Sequence, residues 1–170
     1  MKKFITLTTL LITLAFTGCG TSSTQTTNTN NQIRTVTQPT AYEILANDKY
    51  PASQLEYQDI NSSVSIYHSD IQKDTTAFKS SYKSLTGQEY KKDFDGTIVI
   101  AKAGVKNNSS YKMMIEDIED SGRYTNISLS ITKSEGCLTS QVLTSPYVII
   151  MIPNHKEVKY TIEEKVIKCK

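Results

Sequence analysis

The chain has 170 residues, with 19 basic and 17 acidic side chains, 3 cysteines, 2 histidines and no tryptophan. Setting aside Lys2 and Lys3, which sit in the leader described below, the charges balance; that excludes the basic face nucleic acid requires and a polybasic membrane patch. The length provides one ordinary domain.

The N-terminus reads Met1-Lys2-Lys3, then an apolar stretch from Phe4 to Phe16, then Thr17-Gly18-Cys19. This three-part layout is that of a secretory signal peptide. The stretch is too short for a bilayer, which takes about 20 apolar residues, and Thr6, Thr8, Thr9 and Thr13 interrupt it. Phe16-Thr17-Gly18-Cys19 resembles the lipobox of bacterial lipoproteins, with Phe16 standing where an aliphatic residue is usual. The resemblance implies cleavage after Gly18, a lipidated Cys19 as new N-terminus and palmitate among its chains. The protein is then expected in the cell envelope, anchored to a membrane and facing the periplasm or exterior. One acyl chain binds a membrane only marginally, whereas two or three hold firmly. Residues 21–40 are nearly all Thr, Ser, Asn and Gln, with Ile33 and Val36 the sizeable apolar exceptions. Such a segment cannot offset its chain entropy by burial, so residues 19–40 read as a disordered tether. The expected organisation is signal peptide 1–18, tether 19–40 and β-rich domain 41–170.

Within the domain, Tyr42–Leu45 and Val64–Tyr67 read as strands. Between Asp70 and Leu85, apolar Ile71, Phe78, Tyr82 and Leu85 share one helical face, with Asp70 as expected N-cap and Gly87 as terminator. Residues 97–101 are a short apolar run, fitting a strand buried on both faces. Tyr111, Met113 and Ile115 alternate, as do Ile127, Leu129 and Ile131, and Asp120-Ser121-Gly122 between them predicts a hairpin. Tyr147–Ile152 is a strand entered at Pro146; Pro153-Asn154-His155 turns the chain, and Val158, Tyr160 and Ile162 alternate again. The fold class is mainly β (α+β): a small antiparallel β-sandwich or curled sheet with one helix.

Cysteine use follows from compartment. With Cys19 lipidated, Cys137 and Cys169 face an oxidising environment in which a disulfide is favoured over two free buried thiols. Catalytic and metal signatures do not appear. His68 and His155 lie in no Gly-x-Ser-x-Gly or His-x-x-x-His context. Glu116-Asp117 and Glu119-Asp120 flank a turn without the loop pattern of a calcium site. No glycine-rich phosphate loop is present, so no cofactor and no metal are expected.

The stretch Gln141-Val142-Leu143-Thr144-Ser145-Pro146-Tyr147, followed by an aliphatic strand to Pro153, is similar to the C-terminal domain of the protease complex subunit PrcB family. Asp93-Phe94, the strand 98–101 and Gly104 fit the same family's opening. Where the family has a Thr-Gly-Gly-Tyr turn, this chain has Asn107-Asn108-Ser109-Ser110-Tyr111; Asn tolerates positive φ better than most residues. The resemblance covers residues 92–155 and implies a non-catalytic lipoprotein that assists or stabilises a secreted protease or another envelope protein. Candidate binding residues are Asn107, Asn108, Ser109, Ser110, Tyr111, Ser140, Thr144 and Tyr147, on the expectation that loops 104–111 and 134–146 share one end of a rigid sandwich. Tyr111 and Tyr147 also suit a packing role, since strand aromatics usually fill cores. Two other readings stay open: a loop-presenting peptidase inhibitor, and an envelope enzyme without a familiar motif.

Overall fold

The computed structural model describes residues 38–51 and 61–169. The leader, Cys19 and nearly all of the expected tether lie outside these residues. Among the described residues eight strands and one helix follow in the order β1 (Gln38–Pro39), β2 (Glu43–Pro51), β3 (Ser63–His68), α1 (Gln72–Thr86), β4 (Thr97–Lys102), β5 (Tyr111–Asp120), β6 (Tyr124–Glu135), β7 (Thr144–Ile152) and β8 (Glu157–Lys168). They form two four-stranded sheets, β1-β5-β6-β8 and β2-β7-β4-β3. The expected sandwich with one helix is what the chain forms.

The alternating residues of the sequence become the layer between the sheets. Met113, Ile118, Ile127, Leu129 and Ile131 from one sheet meet Val99, Ala101, Val148, Ile150 and Ile152 from the other. The second face of β4 and β7 is also apolar, and this is why their sequences run without alternation. Ile98, Ile100, Tyr147 and Ile149 pack under α1 around Phe78, which is fully buried. Each fully buried aliphatic side chain contributes about 1.5–3 kcal/mol by leaving water. The result is three layers, sheet on sheet on helix.

The helix ends where Gly87 adopts φ 72° and its N–H donates to Lys83 O. Its start differs from expectation. Ile71 occupies the N-cap position and makes no side-chain cap bond; Asp74, in the first turn, accepts the His68 N–H instead at 3.1 Å. Asp70 is therefore not the cap, and Ile71 is 44% exposed rather than packed.

Strand β7 starts at Thr144, which places Pro146 inside it. This is tolerated because β4 ends opposite Tyr147. At the next pair along, the Pro146 carbonyl accepts from Ala103 N–H at 2.8 Å, and the reciprocal bond that the missing proline N–H cannot make falls at the end of the β4–β7 ladder. Gly96, entering β4 at φ 131°, is tightly enclosed: a Cβ there would fall 2.2 Å from Ile152 O. Gln38 and Pro39, read above as the end of the tether, pair with Asp120 and Glu119.

One pairing departs from the antiparallel pattern. β6 and β8 run parallel in unbroken register from Tyr124↔Glu157 to Glu135↔Lys168. β7 lies between them in sequence but in the other sheet, so β6 and β8 share a direction.

Candidate binding end of the sandwich

The β4–β5 connection and the β6–β7 connection meet at one end, opposite the β5–β6 hairpin, and interlock. Lys106 and Thr144 exchange both backbone hydrogen bonds at 2.8 and 3.0 Å. Ser109 N–H donates to Ser140 O at 3.0 Å, and Ser140 N–H returns to Ser109 Oγ at 2.9 Å. Thr144 Oγ1 donates to Asn108 O at 3.1 Å. Asn108 Oδ1 accepts from the Ser110 N–H at 2.9 Å and from its hydroxyl, the local bonding that makes Asn a turn former. From β2, Lys49 Nζ donates to Ser109 O.

The structure therefore brings loops 104–111 and 134–146 together and sorts their residues into two kinds. Asn107 and Ser140 are exposed, while Asn108, Ser109 and Tyr111 are half-buried. Ser110, Thr144 and Tyr147 are buried. Tyr147 sits under α1, where burial pushes its phenol pKa up and its hydroxyl donates to Leu85 O at 3.4 Å. Tyr111 packs against the inter-sheet core, with Lys106 Nζ 5.4 Å from its ring centroid. Asn108, Ser109 and Thr144 spend their polar atoms on loop architecture, which leaves Asn107 and Ser140 as the candidates that face solvent most openly.

Five exposed apolar residues at the same end were not singled out as binding residues from sequence: Leu138, 105% exposed, with Val142, Leu143, Val166 and Ile167, each more than half exposed. A signal for them existed. Val142 and Leu143 lie ahead of the Pro146 strand with no alternation to bury them, and Val166-Ile167 breaks the alternation of β8 by placing two apolar residues in succession. Cys137 and Cys169 are joined here, their Cα atoms 5.6 Å apart, within the span a disulfide bridges. Cys169 N–H extends the β6–β8 ladder to Glu135 O at 2.9 Å.

Elsewhere two carboxylates are held by neighbouring donors. The Ser130 hydroxyl and the ammonium of Lys165 hold the Glu116 carboxyl below the usual carboxylate range, with Lys165 at 3.0 Å. Lys156, followed by the Gly122 N–H, does the same for Asp120. Among the described residues no group of three or more His, Cys, Asp and Glu could hold a metal ion. Ser69, His155 and Asp95 do converge: Ser69 Oγ is 2.8 Å and Asp95 Oδ1 3.4 Å from His155 Nε2. Both use the same ring nitrogen, whereas a nucleophilic triad needs the carboxylate on the opposite one. Ser69 Oγ also accepts the Gly96 N–H at 3.0 Å. The trio clasps the turns around residues 69, 96 and 155.

Fold and site together define a β-sandwich domain whose distinctive surface is a loop-built, disulfide-braced end. Residues 97–153 match the family model described as PrcB C-terminal, so this stretch of the chain is similar to that family. The match takes in β4 to β7 with both interlocked loops; β2, β3, α1 and β8 lie outside it. No curated protein and no solved structure matches the chain.

Proposed function

We propose that the chain is a membrane-anchored extracytoplasmic lipoprotein that acts as a non-catalytic binding or stabilising subunit of a secreted protease or another envelope complex, docking through its loop end. The observation that carries this reading is the coincidence of the PrcB C-terminal match with both interlocked loops.

Two experiments test the two halves of the reading. Cys19→Ala should move the protein out of the membrane fraction or leave it unprocessed with its leader attached; a cleaved mutant still found in membranes would rule out lipid anchoring. For docking, Leu138→Ser, Val142→Ser and Leu143→Ser combined with Asn107→Ala should reduce capture of the partner from native envelope at least tenfold. The midpoint of unfolding should stay nearly constant, since exposed side chains usually cost within about 0.5 kcal/mol. Undiminished capture would move the docking site to a sheet face or edge. Asn108 and Ser109 are poor choices for this test, because alanine there would also disassemble the loops.

A specific feature also favours the inhibitor reading. Leu138 stands fully in solvent beside a disulfide-bonded cysteine, the arrangement of a rigid loop able to offer one side chain to a protease cleft. Protease turnover measured with and without the chain separates the two: an assembly subunit leaves turnover unchanged or raises it, and an inhibitor lowers it in a Leu138-dependent way.

A further inference from the structure

β8 closes one edge of its sheet, and no described residue pairs with its outer side. A 12-residue edge strand with free backbone groups is a template for another strand, which proteins normally shield. The phase of β8 is fixed by two observations. Cys169 N–H bonds Glu135 O across the β6 side, and the ladder has no register shift. Odd-numbered residues of β8 therefore direct their N–H and C=O towards β6, and even-numbered residues direct theirs outward. Val158 and Ile162 face the core, so even-numbered side chains lie on the inner face. The odd-numbered residues, Glu157, Lys159, Thr161, Glu163 and Lys165, lie on the solvent face.

From this phase and the charges, we infer that β8 pairs with β8 of a second copy of the chain, antiparallel, about a two-fold axis at Thr161. An antiparallel pair sets outward-bonding residues opposite one another, so a two-fold axis must pass through a residue position. Axes at positions 159, 163, 164 and 165 place a charged residue on itself. An axis at 160 sets Glu157 against Glu163, and one at 162 sets Lys159 against Lys165. At 161 Glu157 faces Lys165 of the second copy, Lys159 faces its Glu163, and each pair occurs twice by symmetry. On the inner face Tyr160, 47% exposed although on the core side, falls opposite Ile162 and gains cover. Glu157 and Glu163 have no ion-pair partner among the described residues, so the second copy supplies one. Opposite charges across strands are favourable and like charges directly opposed are unfavourable. The two sheets become one continuous sheet from β1 to β1 of the second copy, an isologous contact of the commonest oligomer symmetry.

The test uses the full chain in detergent, with its mass followed against concentration by sedimentation. A reversible dimer is expected. Glu163→Lys, which opposes Lys159 with lysine twice, should raise the dissociation constant at least tenfold; Lys159→Glu combined with Glu163→Lys should restore the dimer. In a Cys19→Ser background, Thr161→Cys should crosslink to itself under mild oxidation, since directly opposed non-hydrogen-bonded residues lie about 4.5 Å apart at Cα. Glu163→Cys, facing Lys159, should not. A monomer at every concentration overturns the inference and leaves the edge to a strand from another protein. A dimer indifferent to these charges, or Glu163→Cys linking as readily as Thr161→Cys, overturns the register.

Discussion

Phe78→Ala should lower stability by about 3–5 kcal/mol, the range for truncating a fully buried aromatic. The reason is local. Phe78 is the one residue of α1 that is fully enclosed, and its ring is met by Tyr67, Tyr82, Tyr90 and Phe94 with centroids 6.0, 5.8, 4.9 and 5.3 Å away. Aromatic pairs at these distances and tilts contribute about 0.5–1.5 kcal/mol beyond area burial. The four neighbours come from β3, from α1 and from the segment joining α1 to β4, so a cavity there loosens the whole helical layer. Burial already raises the pKa of Tyr90, and water admitted by the truncation should bring its titration back towards that of an ordinary phenol. Urea melts measure the stability change and ultraviolet titration the phenol. A loss below about 1 kcal/mol would mean the ring cluster collapses to refill the space.

Much of this architecture was legible because strand and helix periodicities differ. Ile127, Leu129 and Ile131 could not face a core in any other form than a strand, and Gly87 was readable as a helix stop because a left-handed position follows the last apolar contact. What stayed hidden depends on partners distant in sequence. Whether a strand joins one sheet or the other leaves no mark on its own alternation, so the parallel β6–β8 pairing could not be read. Asp70 and Asp74 are both plausible anchors for a helix start; the position of β3, which presents the His68 N–H, decides for Asp74. Of the candidate site, the meeting of the two loops was readable, since strands joined as a sandwich return their loops to common ends. The burial of Ser110 and Thr144 was not, because small hydroxyl residues look alike whether they face solvent or a neighbouring carbonyl. The exposed Leu138, Val142 and Leu143 were masked by the opposite assumption, that apolar residues seek the interior.

Removing the cystine by Cys137→Ser and Cys169→Ser should destabilise the domain by about 3–4 kcal/mol in the chain-entropy description, given a sequence separation of 32. For a domain of this size that corresponds to a fall in Tm on the order of 10 °C. The loss should be uneven. Among the described residues of one copy β8 is bonded to β6 alone and exposes Val166 and Ile167 near its end, so the bridge at Cys169 holds the far end of a strand that has one ladder within the copy to keep it. The other end of the bridge lies in the loop that carries Leu138. Without it, amide exchange should accelerate first in residues 163–169 and in the β6–β7 connection, while β4 and β7, enclosed on both faces, stay protected until global unfolding. Thermal melts together with residue-resolved exchange measure both. Uniform acceleration across all strands would show that the bridge acts on the unfolded chain alone, and an unchanged Tm would show that the β6–β8 ladder and the Cys169 N–H bond to Glu135 O already hold this end without it.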